Sequence, residues 1–293
     1  MAIFNYGSIN IDHVYRVPHL VQPGETLASR SYQTLLGGKG ANQSIALARA
    51  GAKVQHIGRY GEGDEWVLAQ LESAGVDCHL VTASPLPTGH AIIQVDDQAE
   101  NAIVLYRGAN HSFTPTELPD LLKTAQANDW LLLQNECSCT AEMITLAAQH
   151  HLKVAFNPAP MTAQVAQLPL ESLNLLIINK VEAQQLLQLD TFELSQITQV
   201  LSTRYPSLAV IITLGDKGVV WVDQHQAIEV PALPVQAVDT TAAGDTFIGF
   251  ALAALSRGQG IQYALELGCR AAALCVQRAG AAQSIPTLEE VLA

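Results

Sequence analysis

The chain has 293 residues, 49% of them hydrophobic, 14% charged and 5% aromatic, the profile of a globular protein with a large core rather than of a disordered chain. Fifteen lysines and arginines against 27 aspartates and glutamates give a net charge of −12 with no basic cluster, which argues against nucleic acid as a partner. The longest apolar stretches, such as Phe247 to Leu255, fall short of the ~18 to 20 residues that span a bilayer, and no signal-peptide pattern opens the chain, so no membrane partner and a cytoplasmic location are expected.

In chain order, short apolar runs alternate with longer helical patterns. Ile3 to Asn10 reads as a strand, about Ala41 to Ala50 as a helix, Val54 to Gly58 as a strand and about Glu65 to Ala74 as a helix. The rhythm resumes with a strand at Trp130 to Gln134, a helix from Thr140 to His150 and a strand at Val154 to Asn157. It continues through a strand at Leu175 to Asn179, helices at Glu182 to Leu189 and Glu193 to Tyr205, and a strand at Ala209 to Leu214. This predicts an α/β fold built on a mostly parallel sheet. Tyr32 to Leu36 and Gly89 to Arg107 break the rhythm, reading as strands joined without helices in a small antiparallel sheet. No repeat or linker divides the chain, so a single domain over residues 1–293 is expected.

Five cysteines, Cys78, Cys137, Cys139, Cys269 and Cys275, form no Cys-x-x-Cys pair and read as reduced packing thiols. Nine histidines show no His-Glu-x-x-His spacing, which disfavours a transition-metal enzyme.

Three motifs carry chemistry. Asp239-Thr240-Thr241-Ala242-Ala243-Gly244-Asp245-Thr246-Phe247 runs into the apolar helix of Ile248 to Leu255. The small side chains of Ala242, Ala243 and Gly244 leave their N–H groups open to an anion at a helix N-terminus. Asp245, in the first helical turn, is either a partner of the helix dipole or a base beside a phosphate. Gly37-Gly38-Lys39-Gly40-Ala41-Asn42 leads into a second helix; Lys39 is followed by glycine rather than Ser or Thr, so this is not a P-loop. Gly7-Ser8-Ile9-Asn10-Ile11-Asp12 sets Asn10 and Asp12 two residues apart, on one side of a strand, as an amide and a carboxylate for vicinal hydroxyls. The absence of Gly-x-Gly-x-x-Gly after the first strand argues against a dinucleotide-binding dehydrogenase.

Taken together with Pro23-Gly24-Glu25-Thr26, Gly108-Ala109-Asn110, Asn157-Pro158-Ala159-Pro160, Asn179-Lys180-Val181-Glu182, Thr213-Leu214-Gly215 and Ser284-Ile285-Pro286, these motifs resemble the ribokinase family of sugar kinases, also called the PfkB carbohydrate kinase family, over nearly the whole chain. The resemblance implies a three-layer αβα sandwich with a small antiparallel β lid at about residues 12–36 and 88–109. It implies transfer of the γ-phosphate of ATP to the primary hydroxyl of a sugar, D-ribose at O5 first of all. Deoxyribose, a nucleoside or pseudouridine remains as an alternative, with His90, Ile92 and Gln94 of the lid reshaping the pocket, and a non-catalytic sugar-binding module is the reading from another class.

By that resemblance Asp245 is the base and Ala242, Ala243 and Gly244 form the anion hole. Asn10, Asp12, Gly38, Lys39, Asn42 and Glu136 hold the sugar. Asn179, Glu182, Thr213, Gly215, Gly218, Gly244 and Cys269 line the nucleotide site, Asn179 and Glu182 with Mg²⁺. Asp239, Thr241, Cys275, Arg278, Gly280 and Ser284 match a monovalent cation site, usually K⁺, with Cys275 and Arg278 acting through backbone oxygens. Cys269 stands where His or Asn is common in the family and Thr241 where Ile is frequent, so looser purine contact and a tolerated change at the cation site are expected. A homodimer through the lid is also implied.

Overall fold

Strand residues alternate between two cores. Ile3, Leu132 and Ile177 belong to one buried cluster, and their neighbours Phe4, Leu131, Leu133, Leu176 and Ile178 to another, so the sheet that carries them is covered on both faces. The computed structural model describes every residue except Ala99 and Phe192, and the backbone alone of Ser202.

The chain opens with β1 (Ile3–Tyr6), β2 (Asn10–Arg16), β3 (Ser31–Gly37), α1 (Lys39–Arg49), β4 (Val54–Gly61), α2 (Trp66–Ser73) and β5 (Asp77–Ser84). Next come β6 (Gly89–Val95), β7 (Asn101–Tyr106), α3 (Leu118–Leu121), β8 (Trp130–Gln134), α4 (Thr140–Gln149) and β9 (Lys153–Asn157). They are followed by β10 (Leu175–Asn179), α5 (Lys180–Leu187), α6 (Leu194–Arg204), β11 (Ala209–Thr213), β12 (Val219–Val222) and β13 (Ala227–Val230). Three helices end the chain: α7 (Ala243–Ser256), α8 (Ile261–Cys275) and α9 (Leu288–Leu292).

Nine strands form the large sheet in the order β13-β12-β11-β10-β9-β8-β1-β4-β5, parallel from β11 to β5 and closed at the other edge by the antiparallel β12 and β13. Side chains of α1, α2, α7, α8 and α9 pack into the core on one face, and those of α3, α4, α5 and α6 into the core on the other. This is the three-layer αβα sandwich that the sequence implies. Helix α7 is apolar nearly all round because it lies buried against both α1 and α8. It comes close enough to α1 that a Cβ on Gly249 would lie 2.3 Å from the Ala46 Cβ. That approach sets the N-termini of α1 and α7 side by side.

A second, four-stranded sheet has the order β3-β2-β6-β7. The expected antiparallel pairing holds for β2 with β3 and for β6 with β7, whereas the central pair, β2 with β6, is parallel because the chain crosses the large sheet between them.

Three further expectations need correcting. The strand read from Ile3 to Asn10 is two strands: β1 stops at Tyr6 and β2, in the other sheet, starts at Asn10. The break sits at Gly7, where a Cβ would lie 2.6 Å from the Cα of Gly40. The helix at residues 41–50 begins earlier, at Lys39, since Gly38 at φ +91° is its N-cap. His90, Ile92 and Gln94 do not face the Asp12 side of the small sheet: Ala91 pairs with Asp12 and Ile93 with Val14, so the three point to the opposite face by strict alternation. There His90 packs edge-on against His13, and Gln94 accepts a bond from the Val21 N–H. Sequence reading missed strands β5, β12 and β13 and helix α8, although Val219–Val222 is apolar throughout and Ile261–Cys275 buries Ala264, Leu265, Leu267, Gly268, Ala271 and Cys275 at helical spacing.

Candidate active site

In an open parallel sheet, ligands gather beyond the carboxyl ends of the strands. Glu136, Asn157, Asn179 and Thr213 stand at or just past the ends of β8, β9, β10 and β11. Asn10 and Asp12 open β2, Lys39 and Asn42 lie on the first turn of α1 and Gln43 opens its second. Asp245 lies on the first turn of α7.

These side chains meet. The two oxygens of the buried Asp245 carboxylate accept from Asn42 Nδ2 at 3.1 Å and from Gln43 Nε2 at 2.8 Å. Glu136 accepts from the Lys39 N–H at 3.1 Å and from the Ser8 hydroxyl through the same oxygen, Oε2, which leaves Oε1 for a ligand. Asn10 Oδ1 accepts from Asn110 Nδ2 at 2.8 Å, so the amide of Asn10 is turned with its oxygen held and its donor free for a ligand. Asn42 Oδ1 is buried with no partner among the described residues, an acceptor suited to a ligand hydroxyl.

The electrostatics are those of a crowded anionic pocket around one cation. Burial, then the neighbouring Glu136, push the Asp12 carboxyl up to about 6 against the pull of Lys39. Burial likewise raises Glu136, with Lys39 and the Ser8 hydroxyl opposing it. For Lys39, burial works to lower the ammonium, but Asp245, Glu136, Glu182 and Asp12 together outweigh it and hold the group above its ordinary value. Lys39 therefore sits charged between the Asp12–Glu136 side and the Asp245–Glu182 side.

Two adjoining cavities open from this point. One, of about 220 Å³, is lined by Lys39, Asn179, Glu182, Ala242, Gly244 and Asp245; the other, of about 380 Å³, by Gly215, Gly218, Val235, Phe247 and Cys269, with Thr213 and Gly244 on both walls. The first is polar and the second largely apolar, a division that suits a phosphate chain and a flat base. Ala242 is left-handed at φ 59°, which turns the chain into α7, and the first-turn amides of Gly244 and Asp245 have no intrahelical acceptor. The Ala243 N–H makes a long bond of 3.3 Å to the Thr240 carbonyl. Asn179 and Glu182 form a reciprocal capping box on α5, Asn179 Oδ1 accepting from the Glu182 N–H and Glu182 Oε2 from the Asn179 N–H. Glu182 Oε1 stays uncommitted on the cavity wall. Burial raises the Cys269 thiol to about 11, so it meets the larger cavity as a neutral, weakly polar surface.

The candidate cation ligands also gather, on the far side of the α7 N-terminus. Asp239 accepts from the Thr241 N–H at 2.9 Å and the Gly280 N–H at 3.0 Å, while Cys275 Sγ reaches the Thr241 carbonyl at 3.7 Å and Ser284 Oγ at 3.1 Å. The Arg278 guanidinium is turned away to Glu290, at 2.7 Å, which leaves that residue only its backbone oxygen. No group of three or more His, Cys, Asp or Glu suited to a metal is found among the described residues, so a site here rests on one carboxylate and carbonyls.

Sequence reading missed Ser8 as the partner of Glu136, and Gln43, Gln134 and Asn5 as a buried amide cluster behind Asp245. A signal existed: Asn42, Gln43 and Ser44 are three consecutive polar residues opening a helix whose other buried positions are apolar or Gly, and all three are buried. Size alone would mislead, since a roomier groove, about 710 Å³ between α3 and α4, is lined by none of these groups.

The pfkB family carbohydrate kinase pattern matches residues 2–288, and the chain belongs to that family. A ribokinase of Haemophilus influenzae is 38% identical over 296 residues, covering 98% of this chain and 95% of the relative. The structure of an Arabidopsis thaliana ribokinase complexed with ribose and ATP superposes with a TM-score of 0.89 at 30% identity, covering 100% of this chain and 98% of that one. A deoxyribokinase of Salmonella typhi is 28% identical over 298 residues, covering 99% and 97%.

Proposed function

We propose that this kinase phosphorylates D-ribose at O5 with ATP. One observation carries the reading: Asp245 lies where a polar hydroxyl-binding pocket, formed by Asn10, Asp12, Gly38, Lys39, Asn42 and Glu136, meets a two-part cavity fit for a nucleotide. Carboxylates there accept from sugar hydroxyls, and Asn10 and Lys39 donate.

Asp245 takes the proton of the primary hydroxyl as its oxygen attacks the γ-phosphorus; the bond to the bridging oxygen breaks and ADP leaves. The amides at Ala242, Ala243 and Gly244, with the positive end of α7, stabilise charge on the transferring group. Thr213, Gly215, Gly218 and Cys269 line the base and ribosyl side, and the Cys269 thiol gives the base a weaker polar contact than an imidazole or amide. Asn179 and Glu182 would hold Mg²⁺, a role that suits one uncommitted carboxylate oxygen and an ion reluctant to shed water. Mg²⁺ supplies charge neutralisation on the phosphates. Carbonyls of Thr241, Cys275, Arg278 and Gly280, with Asp239 and Ser284, fit a large, weakly hydrated cation such as K⁺, which would support the anion hole.

The small sheet acts as a lid of the single domain, its Asp12 face over the sugar, keeping water from the γ-phosphate. A cytoplasmic location is compatible with its use of ATP. Deoxyribose is the second reading, favoured by the Salmonella typhi relative.

The test is ADP release over ribose, deoxyribose, fructose, adenosine, uridine and pseudouridine, with Mg²⁺ and with or without K⁺. Preference for ribose with K⁺ stimulation supports the whole reading. Preference for deoxyribose or a nucleoside overturns the substrate, and K⁺ indifference overturns the cation site.

A further inference from the structure

Behind Asp245 lies a run of buried amides that binding a sugar or a nucleotide does not require. Gln43 is fully buried on α1. Its Nε2 donates to Asp245 Oδ1 at 2.8 Å and to Asn157 Oδ1 at 3.2 Å, and its Oε1 accepts from Gln134 Nε2 at 2.7 Å.

An isolated amide can be flipped at little cost, but this one is fixed from both ends. On one side, Asn157 Nδ2 donates to the Ile177 carbonyl at 2.9 Å; a carbonyl only accepts, so the oxygen of Asn157 must face Gln43 and Gln43 must answer with its NH₂. On the other, Asn5 Nδ2 donates to the Gly40 carbonyl at 2.8 Å, so the Asn5 oxygen faces Gln134. Gln134 must then present its NH₂, which it gives at 2.9 Å to Asn5 and at 2.7 Å to Gln43. Two independent anchors on different strands thus demand the same orientation of one side chain.

We infer that Gln43 is a positioning residue for Asp245: backed by Gln134 and Asn157, it offers the carboxylate only donors and so fixes its direction. Asn42 holds the other oxygen, so the rotation of the carboxylate is fixed at both atoms. The inference rests on the reading of Asp245 as the base.

The test is the kcat–pH profile of Gln43→Met, Gln43→Glu and Gln134→Met beside the parent, with ADP binding measured by calorimetry and folding by circular dichroism. The charged groups sharing the site, Lys39 on α1, Glu136 after β8, Asp12 on β2 and Glu182 on α5, are unchanged in all of them. For Gln43→Met, kcat falls about 10- to 100-fold, the loss of one hydrogen bond to a charged group. ADP affinity stays within about twofold, and the acid limb of the profile moves to higher pH, because a carboxylate stripped of a donor is more easily protonated. Gln43→Glu keeps the shape and moves the acid limb further, through like charge. Gln134→Met gives a smaller loss in the same direction.

If Gln43→Met fails to fold, the isosteric Gln43→Glu and the remote Gln134→Met decide. Profiles that superimpose on the parent, with kcat within about twofold, overturn the positioning role alone. A parent that transfers phosphate to no acceptor overturns the kinase reading and this role with it.

Discussion

At the scale of single residues, Asp12 and Asp245 are two carboxylates in one pocket with different surroundings. Asp245 meets two amide donors, whereas Asp12 is raised by burial and by Glu136. An unfolded aspartate titrates near ~4. Between that value and about 6 the folded chain therefore binds the extra proton, so the stability Asp12 contributes is full at low pH and is lost as pH rises through about 6. Asp12→Asn is expected to raise the melting temperature of the unliganded protein at pH 8 and to change it little at pH 4. Thermal melts at both values check this, and equal shifts would sink it. The same titration weakens sugar binding in the parent as pH falls below about 6, because the protonated group accepts fewer hydroxyls. Asp245→Asn is expected to lower kcat by about 10²- to 10⁴-fold, the usual worth of a general base, with nucleotide affinity nearly intact. Near-normal turnover in steady-state kinetics would remove Asp245 from that role.

At the scale of elements, the site is made by two helix N-termini pressed together. Neither α1 nor α7 holds the chemistry alone; Asn42 and Gln43 on one reach Asp245 on the other only because Gly249 lets α7 close on Ala46. Gly249→Val should cost about 1–3 kcal/mol in urea unfolding, the typical price of overpacking a dense helix contact. It should also reduce kcat more than it raises the ATP KM, since it parts the base from its partners but leaves the β11 side of the nucleotide cavity in place. Unchanged unfolding free energy would show that the contact is looser than the geometry implies.

At the scale of the molecule, the small sheet ends in a bare edge. All six residues of its edge strand β7 are exposed, among them Val104 at 68%, Ile103 and Tyr106. A bare edge strand with apolar side chains invites pairing. A second copy covering it through the lid is the expected occupant, and light scattering of Val104→Glu should report a monomer where the parent gives a dimer. A monomeric parent would defeat the expectation.

Much of this molecule was legible from residue order alone. Short apolar runs and intervening helical patterns gave the parallel sheet, and the two helix starts built of small residues, residues 37–42 and 239–247, pointed to Lys39, Asn42 and Asp245, because backbone approach to an anion restricts residue type locally. The split of the first strand at Gly7 was hidden, since a hinge between two sheets depends on what packs against it, here Gly40. Which face of the small sheet His90, Ile92 and Gln94 occupy was likewise set by register with β2, a long-range choice. The amides behind Asp245 come from β1, α1, β8 and β9, far apart in the chain, and a hydrogen-bond network has no period to read. Sequence determined the elements and the chemistry-bearing loops because those obey local rules; only the tertiary structure decided which polar side chains meet, because burial and partnering are properties of the packed whole.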